Sequence, residues 1–337
     1  MELEYLILSL RDALFVLADP GKRLYWLHLL SASVIALIYF RFSSNRRSLN
    51  EMAAKVFDPD YWWNSSTRLD YLLFTLNSFL KVVLFAPVLG GQVFVSLTVT
   101  KFLHFNVAES HIFSWSPIAI SITFTLAAFL FDDWMRFLVH VCMHRFSVLW
   151  RFHKVHHSAT TLTPMTVHRT HPVESFINSS RAVLSLGLMS GIFVWLFGHG
   201  LQVWDILGVN ALGFLLTLLG ANLRHSHVPF HFGGAERFLI SPAQHQLHHS
   251  IAHSHPNYGS FLAIWDRFNR TWVAGSEARG LSYGITENRL NAGNSVLMTC
   301  ARFLCLKYRR LPYSAPFDGS SETDALSGGF DSFHRSL

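Results

Sequence analysis

The sequence predicts an all-α integral membrane protein, a bundle of about four to five transmembrane helices with a histidine-rich cytosolic cap. Three observations predict it. Half of the 337 residues are hydrophobic and only 14% are charged, where an ordinary soluble domain carries about 25%. The apolar residues fall in long runs, as a bilayer requires. And 16 of the 20 histidines lie between His140 and His255, in clusters with the three- and four-residue offsets of a single helix face.

Residues 4–18 have the pattern of a short interfacial helix, ended by Asp19-Pro20-Gly21. The acidic start and the lack of a basic n-region argue against a cleavable signal peptide. A first span is expected near 24–40, flanked by the interfacial aromatics Tyr25, Trp26 and Tyr39. A basic, aromatic loop follows over 41–68, then a second span near 69–89, ended by Gly90-Gly91. Residues 92–105 are apolar but short, which suits a re-entrant or interfacial segment. Pro117 can open the next helix, and the run continues to His140. A polar, basic stretch separates it from a helical hairpin with spans near 182–198 and 202–221. The chain thus divides into an N-terminal membrane region (1–116), a catalytic unit (117–275) and a C-terminal extension (276–337), whose composition from about 312 is that of disorder.

With the basic loop 41–68 in the cytoplasm, every histidine cluster falls on the cytoplasmic side of a multi-pass protein. Lys22 and Arg23 then sit on the wrong side. The net charge of +6 fits loops facing anionic lipid; the basic residues are too scattered for nucleic acid. Three cysteines offer no disulfide framework.

The chemistry lies in the histidines. His140 and His144 are four apart; His153, His156 and His157, and again His245, His248 and His249, follow an HxxHH pattern. Imidazoles packed together repel when protonated and are poorly solvated when neutral and unpaired. A metal removes both problems. All-nitrogen ligation suits zinc, iron, copper or nickel. A zinc hydrolase needs about three protein ligands, so eight clustered histidines imply two metals. HExxH is absent. Two redox-active metals beside an apolar interior point to iron and to oxygen chemistry on a lipid carbon.

The ordered set His140-x3-His144, His153-x2-His156-His157 and His245-x2-His248-His249, placed around an apolar hairpin, resembles the fatty acid hydroxylase/sterol desaturase superfamily of membrane non-haem diiron oxygenases. The resemblance covers roughly 125–272. Supporting pieces are Asp133 and Leu149-Trp150-Arg151-Phe152 before the second box, Arg169-x-His171-Pro172-x-Glu174, Asn222-x2-His225-Ser226, Asn257-Tyr258-Gly259 and Trp265-Asp266. It implies a helical bundle with a cytosolic cap that hydroxylates or desaturates a lipid with O2 and two external electrons. It makes iron ligands of those eight histidines and of His225. His171 and His227 are possible further ligands, and Asp133, Glu174 and Asp266 could orient imidazoles. The chain departs from the family pattern at Val141, where arginine is usual, at His255, where aspartate is common, and at Asn269-Arg270-Thr271, where a glycine usually precedes the threonine.

No haem-attachment motif, four-cysteine cluster or GxGxxG fingerprint is present, so no haem, flavin or nicotinamide site is expected in the chain. Electrons must come from a ferredoxin or a cytochrome-type carrier with its reductase. Loop 41–68, Arg145, Arg151 and Lys154 could dock an acidic carrier, or could simply hold the loops inside. Two other classes compete. A membrane zinc hydrolase would act without O2 or reductant. A non-enzymatic metal-binding membrane protein would need polar residues within its spans, and apart from His28 these are nearly absent.

Overall fold

The computed structural model describes residues 15–42, 54, 58–85, 90–109, 112–198, 203–253, 256–278 and 280–286, with backbone only at 79, 81–85 and 203–210. Most of the expected interfacial helix, much of loop 41–68, His255 and the tail from 287 lie outside the described residues. Within them the chain is helical, and no strand occurs; two isolated bridges pair Leu239 with Leu262 and Ser250 with Tyr283.

The helices are α1 (Trp26–Phe42), α2 (Pro59–Trp62), α3 (Ser65–Phe85), α4 (Gly91–Asn106), α5 (Pro117–Arg145), α6 (Ser147–His157), α7 (Pro172–Phe197), α8 (Val203–Leu218), α9 (Pro242–His249) and α10 (Ile264–Asn269). Short 3-10 turns at Pro164–His168, Ala221–His225, Gly233–Arg237 and Gly275–Glu277 join them.

Among the described residues α5 and α7 are long and apolar enough to cross a membrane. Ser116 caps α5 by accepting the Ala119 N–H, and Pro117 sits in its first turn. Its 29 residues rise about 43 Å, well beyond the roughly 30 Å hydrocarbon layer, so its last turns can carry His140 and His144 past the apolar zone. Ile118, Ile122, Leu126, Leu130, Trp134 and Leu138 are exposed at strict four-residue intervals. That uncovered apolar stripe is the face of a lipid-solvated helix. The opposite face buries Phe124 and Ala128 against Phe193 of α7.

The apolar stretch 92–105 forms one continuous helix, α4, laid along α7. Gly187 and Gly191, four apart on α7, let the backbones meet. A Cβ at Gly187 would fall 2.8 Å from the Val95 Cβ, and one at Gly191 2.7 Å from the Ser96 carbonyl. The Thr100 hydroxyl donates across the contact to the Gly191 carbonyl. This small-residue crossing is a common way of packing helices in lipid.

α1 runs along the cap segment 218–230. Asn222 donates to the Arg23 carbonyl at 2.7 Å, Ser31 to the Leu218 carbonyl, and Ala32, Ala36 and Phe40 pack on Leu223 and Val228. Arg23 therefore lies beside the segment that carries His225.

Candidate metal centre

Nine histidines from four elements converge in two groups. His140 and His144 end α5. One residue, Phe146, turns the chain into α6, which supplies His153, His156 and His157. The turn after α8 brings His225, and α9 brings His245, His248 and His249. α9 is held by a capping box between Ser241 and Gln244 with Pro242 in its first turn. Its eight residues are few for an isolated helix, so packing sets it; Ala243 and Leu247 are fully buried.

One group is His140, His144, His153, His157 and His248; the other is His156, His225, His245 and His249. In each, one nitrogen per ring lies within 4.8 Å of every other. The HxxHH boxes are split between the groups. His153 and His157, four apart, share one centre while His156 faces the other, and α9 divides its three in the same way.

The far sides of the rings are fixed. Nδ1 of His153 meets Glu174 Oε1 at 2.8 Å, Nδ1 of His140 meets the Tyr258 carbonyl at 2.8 Å, and Nδ1 of His248 meets the Pro256 carbonyl at 2.8 Å. His156 hydrogen-bonds the backbone of Arg169. The inward nitrogens differ. Nε2 of His153, His157 and His248 and Nδ1 of His156 are buried with no hydrogen-bond partner. In the second group the Nε2 atoms of His225, His245 and His249 form a triangle with sides of 3.1, 3.1 and 3.2 Å. Each Nε2 either bears a proton or does not, so at least two of the three are alike and repel. No tautomer assignment satisfies the triangle. Nitrogens sharing one metal at about 2.1 Å stand about 3.0–3.4 Å apart, which is the spacing found. The donor set fits first-row metals with imidazole ligation.

Burial, reinforced by neighbouring imidazoles, depresses the basicity of this cluster. His157, His225, His245, His248 and His249 fall well below the usual histidine range, and His156 is pushed down to about 4. The rings are neutral at pH 7 with lone pairs ready for a cation.

The remaining candidates have other work. His171 caps α7, its Nδ1 accepting the Val173 N–H at 3.1 Å. His227 packs its ring on Tyr61 and Phe40. Neither joins a histidine group. Glu174 orients His153. Asp133 bonds no imidazole: it accepts the Phe261 and Leu262 N–H groups and the Trp265 indole N–H. Asp266 accepts the Tyr258 and Gly259 N–H groups at 2.8 and 2.7 Å, so it acts on His140 only through the Tyr258 carbonyl. Lys154, expected at a docking face, is fully buried; Arg145 and Arg151 are exposed. Arg270 has φ +59°, a left-handed conformation that favours glycine and explains why a glycine usually stands there.

Unforeseen support comes from α2 and α3, before the family-like region. Asp70 is fully buried and ion-paired with Arg169. It also accepts the Thr166 hydroxyl at 2.8 Å. Asn77 donates to the Thr170 carbonyl and Tyr61 to the Leu162 carbonyl. These contacts fix the 158–171 loop, including the Arg169 backbone behind His156. Asp70 carried a signal, since a carboxylate inside an apolar run is expensive unless partnered.

The fold and site together define an all-helical protein with a buried, histidine-only centre at the end of apolar helices. Residues 125–271 match the family model described as fatty acid hydroxylase. Ornithine lipid hydroxylase OlsE of Rhizobium tropici is 26% identical over 155 residues, 44% of this chain and 42% of that protein. Delta(7)-sterol 5(6)-desaturase ERG3B of Gibberella zeae is 28% identical over 169 residues, 49% of this chain and 45% of that protein. Lathosterol oxidase of Mus musculus is 25% identical over 166 residues, 49% of each chain. The chain spans about half the length of the curated relatives it matches. No solved structure matches it. The likeness to the fatty acid hydroxylase/sterol desaturase superfamily read from the histidine boxes is thus borne out over residues 125–271.

Proposed function

We propose that the protein is a membrane-bound diiron oxygenase that hydroxylates or desaturates a C–H bond of a lipid. The observation that carries this reading is the pair of largely buried histidine groups, five and four, at the end of the apolar helix α5. His140, His144, His153, His157 and His248 would hold one iron; His156, His225, His245 and His249 would hold the other. Iron bound there supplies the reduction of O2 and the oxidation of an unactivated C–H bond. Hydroxylation consumes O2, two electrons and two protons, and yields an alcohol and one water; desaturation consumes the same and yields an alkene and two waters. The residues of the chain do the rest. Glu174 and the carbonyls of Tyr258 and Pro256 hold the rings in one tautomer. The buried walls exclude water from the reacting carbon. The exposed stripe of α5 keeps the protein in the phase where the lipid is dissolved.

The domain division and topology belong to the same reading. The catalytic unit is 117–275, and α5, α7 and α8, with the spans expected near 24–40 and 69–89, make four to five crossings. The basic loops support a cytoplasmic side for the centre. Electrons arrive from a ferredoxin or cytochrome-type carrier at the exposed Arg145 and Arg151. Lipid mass spectrometry of a host with and without the gene tests the reading. The expected result is an O2-dependent gain of one oxygen or loss of two hydrogens in one lipid class. A lipid change that persists without O2 would instead mark a hydrolase.

A further inference from the structure

Arg224 stands immediately before His225 and is only 6% exposed. A buried guanidinium needs a counter-charge or a full set of acceptors. Arg224 makes no ion pair among the described residues, and Asp133 acts on it only at longer range. Its Nε has no hydrogen-bond partner, and among the described residues Nη2 makes only a long 3.4 Å contact to the Ile240 carbonyl. The nearby acids are committed. Both oxygens of Asp133 are taken by the Phe261, Leu262 and Trp265 N–H groups. Asp132 is held by Arg136, Arg181 and Ser185. A second guanidinium stands close by. Arg23 and Arg224 each lie 5.7 Å from the centroid of the same Phe261 ring, two like charges that disfavour one another. Guanidinium groups stay cationic at pH 7.

The surroundings indicate the missing anion. Arg224 lines a narrow cleft walled by Leu216, Leu219, Phe232, Leu239, Ile240 and Phe261. Leu219, at its α8 side, is 47% exposed. A buried cation among apolar walls complements an amphiphile with a negative head rather than a soluble anion. The cleft also adjoins the four-histidine group. Arg224 precedes His225, and Ile240 and Pro242 lead into the helix that carries His245.

We infer that Arg224, with Arg23, seats the anionic head group of the lipid substrate, a carboxylate or phosphate, and so positions an acidic or zwitterionic lipid beside the four-histidine group. This rests on the oxygenase reading only for the word substrate; the seat itself is tested by binding. The full-length, iron-loaded protein in neutral detergent is titrated with the fluorescent long-chain acid cis-parinaric acid and with its methyl ester, which differ only in head-group charge. The wild type is expected to bind the acid at least tenfold more tightly than the ester. Arg224→Gln removes that preference with ester binding and iron content unchanged, and Arg224→Lys keeps part of it. Displacement by dodecyl phosphate or by dodecanoate tells a phosphate seat from a carboxylate seat, and either supports the proposal. Equal binding of acid and ester by the wild type overturns it without any variant, as does an Arg224→Gln protein that retains the preference. Selective acid binding with no lipid oxidised in the host would sink the oxygenase reading and leave the seat standing.

Discussion

The hydrogen bond between Glu174 and His153 shows how one residue decides whether an imidazole can serve a metal. His153 Nε2 is free to face inward because Nδ1 is held at 2.8 Å by the carboxylate. Removing such a partner typically weakens metal affinity 10- to 100-fold. Glu174→Ala should therefore show a loss of that order in chelator competition while the helical circular dichroism is kept; unchanged affinity would place Glu174 outside the centre. At this scale the sequence was most legible in the nine histidines, whose spacing is written in residue identity. Their partition into five and four was not, because it depends on the turn at Phe146 and on how α9 packs. Nor were the Tyr258 and Pro256 carbonyls, since main-chain acceptors carry no side-chain signature. Asp133 and Asp266 have the residue type of imidazole partners, yet they grip backbone N–H groups in the loop that presents the Tyr258 carbonyl.

Helix pairing is set at the next scale by the smallest residues. Gly191 faces the Ser96 carbonyl and the Val99 side chain, and a Cβ there would meet both at 2.7 Å. Gly191→Leu must push α4 off α7, and overpacking of this kind costs about 1–3 kcal/mol. A lowered melting temperature in detergent, with Gly213→Leu as the control in open space, is the expected outcome; equal melting of the two variants would contradict the packing. The stretch 92–105 read as re-entrant because its apolar run is short. Its helical form depends on two glycines ninety residues away, which no local pattern reveals. The span-like runs of α5 and α7 were legible because their periodicity and length are local. Asp70 was visible as an acid in an apolar run, but its partner Arg169 lies 99 residues on, and contact at that separation is a property of the fold.

In the whole molecule, the cap, α1 and α3 enclose a mass of neutral imidazole, and this couples stability to pH. His156 has a pKa of about 4 when folded, against about 6.5 in the unfolded chain. Between those values the unfolded state binds more protons, so stability falls as pH drops below about 6.5 and is fully present above it. His157, His225, His245, His248 and His249, shifted the same way, add to the slope. Chelator-stripped protein should melt markedly lower at pH 5 than at pH 7.5; a flat profile would mean that the rings are solvated.

The central claim is that two separate histidine groups each hold a metal. Elemental analysis of the purified, iron-reconstituted protein by inductively coupled plasma mass spectrometry tests it most directly. The account predicts two irons per chain. A wild-type protein saturated at one metal per chain, with no second equivalent taken up from excess ferrous iron, would contradict it.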